Sequence, residues 1–137
     1  MRFMLIVKAD ARSEAGTLPT EHELSEMGRF NDEMVKNGMM LAGEGLQASS
    51  KGARITFKGG KPTIVDGPFT ETKELVAGFW LIQAKSKQEA IEWARRAPFV
   101  DGQIEIRQVF ELEDFGPSEA VDTLHAKHRE QLAPKKA

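Results

Sequence analysis

The apolar residues of this chain alternate between runs typical of strands and spacings typical of helices. Phe3 to Val7 is continuously apolar, which predicts a strand buried on both faces. The polar stretch from Lys8 to Leu18 predicts a loop. Leu75 to Ala84 is the longest predicted strand, and both of its faces are apolar. Gln103 to Leu112 alternates imperfectly and predicts a closing strand, so the pattern indicates a sheet whose central strand meets little water on either side.

Two helices are predicted between these strands, each with a capping signal. Thr20 and Glu23 form a capping box for the first helix, and Asn37-Gly38 ends it. Ser86 caps the second helix, which Pro98 stops. The first helix has an apolar stripe at helical spacing, made of Leu24, Met27, Phe30, Met34 and Val35.

The middle of the chain predicts shorter strands. Met39 to Ala42 is apolar and is interrupted by Gly43-Glu44-Gly45, where glycine suggests a backbone that bends or that something approaches closely. Arg54 to Phe57 and Pro62 to Val65 flank Gly59-Gly60. Paired glycines between two strand patterns are a strong signal for a β-hairpin.

This order of elements predicts an α+β fold of the ferredoxin-like sandwich type, an antiparallel sheet with two helices on one face and an inserted β-hairpin. Two helices cover only one face of such a sheet. We therefore expect a homodimer, paired through the sheet faces as a dimeric α+β barrel. Residues 1–112 form the predicted domain, and residues 113–137 a C-terminal extension that is helical from Ser118 to Leu132 and frayed from Ala133 to Ala137.

Composition narrows the classes of function. The 19 basic and 21 acidic residues give a net charge of −2, so no general attraction to nucleic acid or anionic lipid is expected. The absence of cysteine excludes disulfides, thiolate metal sites and cysteine nucleophiles. No apolar run approaches the roughly 20 residues of a membrane span. We expect a cytoplasmic protein with no cofactor or metal.

Residues 66–74, here called the charged turn, carry four charged side chains between two predicted strands. This places ionisable groups at the rim of a core, where loops often carry function. An Asp normally accepts a hydrogen bond from the backbone N–H two residues on, but Pro68 has no N–H. Asp66 must therefore find a partner further away or stay free for a ligand.

A family resemblance is carried by five segments: Met1-Arg2-Phe3-Met4-Leu5, Leu41-Ala42-Gly43-Glu44-Gly45-Leu46, Asp66-Gly67-Pro68-Phe69-Thr70-Glu71-Thr72-Lys73-Glu74, Ala90-Ile91-Glu92-Trp93-Ala94 and Ile104-Glu105-Ile106-Arg107. Over about residues 1 to 112 the chain resembles the YCII-related family, specifically its DGPF-domain branch. The resemblance implies a dimeric ferredoxin-like barrel and, for most members, no assigned reaction. Some members are encoded with, or fused to, extracytoplasmic-function sigma factors.

Some members of the wider family have a proposed catalytic pair, a histidine on the first helix and an aspartate before the proline that follows the second helix. When the helix ends are aligned, this chain has Met27 and Ala97 at those positions. His22 lies in the first turn, about five residues too early. The resemblance therefore does not carry a His–Asp mechanism over to this chain.

Glu44 and Asp66 are the candidate catalytic residues. If Glu44 faces the same cavity as the charged turn, carboxylates in one partly dry site would have pKa values pushed apart, as acid–base chemistry requires. The alternative is an ion pair of Glu44 with Lys73 or Arg107 that pins the hairpin to the sheet. The candidate ligand-binding residues are Thr70, Glu71, Lys73, Glu74 and Arg107.

Further residues carry weaker signals. In an extended segment, Glu71 and Lys73 would share one side. Arg2 lies among apolar residues and is a second candidate, beside Arg107, for holding an anionic ligand. His125 and His128 could share a helix face, but no third metal ligand is indicated.

Three hypotheses remain open from the sequence. The first is a cofactor-independent enzyme that uses Glu44 or Asp66 for proton transfer on a small metabolite. The second is a non-catalytic module that binds a small ligand or regulates a transcription factor such as a sigma factor. In the third, the charged turn only stabilises the dimer.

Overall fold

The computed structural model describes residues 1–117 and 119–132 and has an α+β fold, as the sequence predicts. The strands are β1 (Arg2–Lys8), β2 (Met40–Gly45), β3 (Ala53–Lys58), β4 (Lys61–Asp66), β5 (Val76–Gln83) and β6 (Ile104–Gln108). The helices are α1 (Ala11–Glu14), α2 (Glu21–Lys36), α3 (Lys87–Ala94) and α4 (Glu119–Gln131). Three 3₁₀ turns span Ser49–Lys51, Thr72–Glu74 and Leu112–Phe115.

Four strands form one sheet in the order β2-β5-β1-β6, and all neighbouring pairs are antiparallel. β3 and β4 form a separate two-stranded hairpin. β5 is therefore central, as its two apolar faces predict, and β2 and β6 are the edges. Because side chains alternate along each strand, the register assigns every sheet residue to one of two faces.

One face, here called the covered face, packs against α2 and α3. Phe3 and Leu5 of β1 and Ile82 of β5 are almost fully buried there. Trp80 donates its indole Nε1–H to the Asn31 side-chain oxygen at 2.8 Å, so this buried polar group is satisfied. The helix residues of the same core are Phe30, Met34 and Ala90.

The opposite face, here called the open face, presents Met4 and Ile6 of β1 and Phe79 and Leu81 of β5. All four side chains are half-buried, and the buried cluster beneath α2 and α3 includes none of them. Apolar residues on both faces are thus observed, and within residues 1–117 and 119–132 the helices of the core close one of the two faces.

The helix ends agree with the sequence prediction. Thr20 and Glu23 form the predicted capping box, with Glu23 N–H donating to Thr20 Oγ1 at 3.1 Å. Ser86 caps α3 through the Glu89 N–H at 3.1 Å. Only part of the predicted apolar stripe of α2 is buried, since Leu24 is 57% and Val35 60% exposed.

Several predicted boundaries are wrong. The predicted loop at residues 8–18 contains α1. Asp10 and Ser13 cap the start of this helix through reciprocal hydrogen bonds. β6 ends at Gln108, so the prediction of a strand to Leu112 is too long; a 3₁₀ turn begins at that residue. Residues 43–45 continue β2 rather than interrupt it. A Cβ at Gly43 would lie 2.8 Å from the Trp80 ring, so this glycine allows close packing.

The hairpin is confirmed, and its turn has Gly59 and Gly60 at φ values of 58° and 79°. Both of its strands are exposed along their whole length. The register places Ile55 opposite Ile64 on one face, next to Phe57. The hairpin therefore carries an apolar face that its own chain leaves in contact with water.

The C-terminal helix α4 lies beside the 3₁₀ turn Leu112–Phe115. Leu124 is 53% exposed and Leu132 80%. The predicted frayed end, Ala133 to Ala137, lies outside the described residues. Among the helices described, none combines the length and apolarity that crossing a bilayer requires.

Candidate functional site

The charged turn is tied to two distant parts of the chain through Ser49. The Ser49 backbone N–H donates to the Glu14 carboxylate at 3.0 Å, and the Ser49 hydroxyl donates to the same carboxylate. The Phe69 N–H donates to Ser49 Oγ at 3.0 Å. The hydrogen bond from the Ser49 hydroxyl, and then that from its N–H, hold the pKa of Glu14 below its usual range. Short helix α1 thus supplies an anchor for the turn.

Gly67 is required by a close approach in the same network. Its N–H donates to the Gly52 carbonyl at 3.0 Å. A Cβ at this position would lie 1.8 Å from the Ser49 carbonyl oxygen, a contact no side chain tolerates. The glycine of the charged turn therefore has a packing reason within one chain.

Phe69 and Glu71 are both held by Arg54 of β3. The Arg54 guanidinium lies 3.9 Å from the centre of the Phe69 ring. Its Nη1 is 3.5 Å from a Glu71 carboxylate oxygen. Glu71's own backbone N–H, and to a lesser degree Arg54, hold the pKa of Glu71 below its usual range. Two residues of the charged turn thus contact the first strand of the hairpin.

Thr72–Glu74 forms a 3₁₀ turn. The prediction that Glu71 and Lys73 share one side required an extended segment, and this segment is not extended. The Glu74 N–H donates to the Glu71 carbonyl at 2.8 Å, which curls the backbone. Glu71 and Lys73 are therefore not arranged by strand alternation. Thr70 lies within 3.4 Å of the Glu71 carboxylate, and the side chains of Lys73 and Glu74 are exposed.

Asp66 is the last residue of β4, opposite Ala53, and its side chain is exposed. Glu44 lies on a different sheet, in β2 opposite Phe79. Within residues 1–117 and 119–132, no hydrogen bond or cleft joins the two carboxylates. Their roles as a catalytic pair stay a prediction.

Glu44 belongs to a row of side chains that crosses the open face. From edge to edge the register gives Glu44, Phe79, Ile6 and Glu105. Strands lie about 5 Å apart, so the two carboxylate-bearing positions are separated by roughly 15 Å of apolar sheet. The next row, in the same order, is Ala42, Leu81, Met4 and Arg107.

Two cations surround Glu105 at the β6 edge of this face. Lys8 Nζ lies 3.7 Å and Arg107 Nη1 3.3 Å from its carboxylate oxygens. Arg107 therefore pairs with Glu105, and the ion pairs of the described chain include none for Glu44 with Lys73 or Arg107. The open face has an uncompensated carboxylate at one edge and a net positive cluster at the other.

Arg2 is used elsewhere. Its guanidinium donates to both Glu111 carboxylate oxygens, at 2.8 and 3.3 Å. The hydrogen bond raises the pKa of Arg2 and lowers that of Glu111. This fork attaches the segment after β6 to the start of β1.

Two shallow clefts lie away from Glu44 and Asp66. A cleft of about 420 Å³ is lined by Leu112, Glu113, Gly116, Pro117 and Asp122. A second, of about 260 Å³ between α2 and α3, is lined by Glu26, Arg29, Phe30, Glu33, Trp93, Arg96 and Pro98. Met27 and Ala97 pack as partly buried apolar residues against the core.

The histidines of α4 make no recognisable metal centre in the part of the chain described. His125 Nδ1 lies 3.3 Å from an Arg129 guanidinium nitrogen. No group of three potential ligand side chains gathers anywhere in the described ranges.

The sequence profile of the YCII-related domain matches residues 1–113, most of the chain. The chain belongs to the YCII-related family. A relative of this YCII-related protein, an uncharacterized protein from Rhizobium meliloti (strain 1021), is 31% identical over 75 residues. That alignment covers 55% of this chain and 60% of the relative, so the chain matches less than two thirds of the relative's length.

Sequence reasoning missed Glu14, Ser49 and Arg54, since each lies far along the chain from the turn it holds. It also missed Lys8 and Glu105. For Glu105 a signal existed, because its apolar neighbours Ile104 and Ile106 place it on the opposite face of the strand.

Proposed function

We propose that this YCII-related protein is a homodimer whose two open faces enclose a pocket for a small, partly apolar metabolite. The observation that carries the proposal is the open face itself, with four half-buried apolar residues in its two central strands. Such a face is unusual on a monomer and is typical of an interface or a ligand site.

The strand order supports a ferredoxin-like sandwich in each copy, since the split arrangement places β1 and β5 at the centre and helices α2 and α3 on one side. Two such sheets facing each other would form the dimeric α+β barrel. Their contact would need about 1,200–2,000 Å² of buried surface to be stable.

The edges of the open face define the ligand chemistry. Lys8 and Arg107 share a single carboxylate, Glu105, which leaves one positive charge for an anionic group of the ligand. Glu44 at the other edge suits a hydroxyl or another hydrogen-bond donor. The apolar rows between them suit an aromatic ring, so we infer a hydroxylated or otherwise oxygenated aromatic acid.

A second candidate function is acid–base catalysis by Glu44. It is favoured by one observation, a carboxylate beside Phe79 on a face that the proposed partner would dry. Removing water from around a carboxylate makes it a better proton acceptor. Glu44 would then accept a proton from the ligand and return it to another ligand atom, an isomerisation that needs no cofactor.

The test uses salicylate and the isomeric hydroxybenzoates as probes, with binding measured by ligand-observed NMR. We expect millimolar or tighter binding of at least one probe, weakened about tenfold by Glu44→Gln or by Arg107→Gln. Glu33→Gln on α2, an exposed carboxylate on the other side of the sheet, is the matched control and should change nothing. Equal binding by all three variants would exclude the open face as the site. Proton exchange from a bound probe that Glu44→Gln abolishes would support catalysis, and binding without exchange the non-catalytic module.

A further inference from the structure

The hairpin β3–β4 has an apolar face that no described residue of its own chain covers. Ile55 is 55%, Phe57 71% and Ile64 68% exposed, and the register places all three on one side. A two-stranded hairpin has little stability alone and needs a packed face. Near its base, Arg54 of this hairpin contacts Phe69 and Glu71 of the charged turn. Such an oriented apolar face indicates a specific partner.

The hairpin is also basic. From Ala53 to Asp66 it contains three basic residues, Arg54, Lys58 and Lys61, and one acidic residue, Asp66 at its base. Lys58 and Lys61 face each other beside the Gly59-Gly60 tip. The surface that receives it should therefore combine exposed apolar groups with carboxylates.

The segment after β6 has these properties. Phe110 and Phe115 stack with ring centres 5.0 Å apart and remain 68% and 57% exposed. Residues 111–122 contain five acidic side chains and no basic one. Glu113 and Asp122 line the cleft of about 420 Å³ next to this stack. We call the stack and the cleft together the acidic cleft.

We propose that the tip of the hairpin of one copy inserts into the acidic cleft of a second copy, so that both faces of the tip are contacted. Phe57 on one face would pack against the Phe110–Phe115 stack, and Lys58 and Lys61 on the opposite face would lie near Glu113 and Asp122. The two surfaces match in charge and apolarity, and both are exposed in the single chain. Among the described residues no other segment combines exposed stacked aromatics with several acidic residues and no basic one.

The two surfaces lie at opposite ends of the sheet, so they cannot meet within one copy. The acidic cleft follows Gln108, which pairs with Phe3 at the start of β1, and Arg2 holds it there through Glu111. The hairpin joins the sheet where β2 ends and β5 begins, beside the end of β1. A two-fold axis would exchange the two contacts symmetrically and close the assembly at two chains. In this respect the inference rests on the proposed dimer.

The test is the dissociation constant of the full-length dimer, measured by sedimentation velocity over a dilution series. We expect the double variant Lys58→Glu/Lys61→Glu to weaken the dimer about tenfold or more, because two attractive contacts become repulsive in each half. Adding Glu113→Lys and Asp122→Lys to the same chain should recover at least most of the lost dimer affinity. Lys36→Glu, which reverses the charge of an exposed lysine on α2 rather than on the hairpin, is the control that should have little effect.

All of these positions are exposed, and circular dichroism of each variant checks that the fold is retained. A dimer unchanged by Lys58→Glu/Lys61→Glu would overturn the docking while leaving the proposed dimer intact. A weakened dimer that the added lysines do not restore would overturn the acidic cleft as the receiving surface. A wild-type chain that stays monomeric at millimolar concentration would overturn both proposals.

Discussion

The two faces of the four-stranded sheet are built from the same strands but have different surroundings. On β1, Leu5 is fully buried beneath the helices, while its neighbour Ile6 points to the open face and is only half-buried. On β5 the same contrast separates Ile82 from Leu81. The covered face is completed by α2 and α3, whereas no helix of the described core lies over the open face.

The covered face supplies the apolar core that stabilises the fold, and the open face carries the charged groups that could take part in recognition or chemistry. No polar or charged residue of the described chain is buried, and the covered face contributes only apolar side chains and one satisfied indole to the core. The open face carries Glu44, Glu105 and Arg107 at its edges. A surface that combines charged groups with apolar ones is where a ligand or a partner can be recognised.

Replacing one residue on each face tests this contrast most strongly. Leu5→Ala should lower the free energy of unfolding by about 3 kcal/mol, because a fully buried leucine leaves a cavity. Urea titration followed by tryptophan fluorescence measures the change, which should not depend on protein concentration.

Ile6→Ala is the matched variant on the open face. We expect a smaller change in dilute protein and a larger change at high concentration, where the proposed dimer covers Ile6. Equal effects of the two variants at every concentration would remove the distinction between the faces.

The charged turn should behave like the covered face, because its contacts are completed within one chain. Gly67→Ala forces a Cβ against the Ser49 carbonyl and should cost about 2 kcal/mol through backbone displacement. Thermal unfolding at two protein concentrations measures it. Gly45→Ala, where an added Cβ meets nothing within 4 Å, is the control. A harmless Gly67→Ala would show that the turn is looser than its contacts indicate.

The helices that cover one face depend on their caps. Thr20→Ala removes the acceptor of the Glu23 N–H and should destabilise the protein by about 1 kcal/mol. Thr20→Ser keeps a hydroxyl acceptor and should recover most of the loss. If serine and alanine are equally destabilising in chemical denaturation, the hydroxyl does not act as the cap.

The smallest expected effect concerns acid stability of α2. Hydrogen bonding to Arg12, and then to the Thr20 backbone, lowers the pKa of Glu23 from 4.5 to about 2. A carboxyl with a lowered pKa in the folded state stabilises it above the unfolded pKa and loses this contribution as the pH falls. The stabilisation from Glu23 should therefore disappear between about pH 4.5 and pH 2.

Glu23→Gln should then show a smaller loss of stability across that interval than the wild type, measured by urea titration at pH 5 and pH 2.5. Glu21→Gln, a carboxylate in the same helical turn, is the control. An unaltered pH dependence in Glu23→Gln would contradict the assignment of Arg12 as its partner.

Much of the fold follows from signals that span only a few residues. The capping box at Thr20, the paired glycines of the hairpin and the apolar alternation of β5 each reflect contacts between near neighbours in sequence. These signals predicted the α+β class and most elements. They failed at the end of β6, where the chain leaves its partner strand although the apolar pattern continues.

The candidate site was less predictable. Glu44 and Arg107 were singled out from their apolar surroundings, but their partners were not. Arg107 pairs with Glu105, which lies two positions earlier in β6. Residues two positions apart in a strand lie on the same face, so alternation alone suggests this pair. The pairing of Lys8 with the same carboxylate depends on β1 and β6 lying side by side.

By itself the sequence determined the kinds of element, their order, the family and the presence of apolar residues on both sides of the central strands. Only the tertiary structure decided which side the helices close and which residues hold the charged turn. The physical reason is the range of the contacts, since Glu14 and Ser49 are 35 positions apart and meet only because the chain path brings them together. The secondary-structure propensities of neighbouring residues do not predict such a long-range contact, whereas the folded chain shows it.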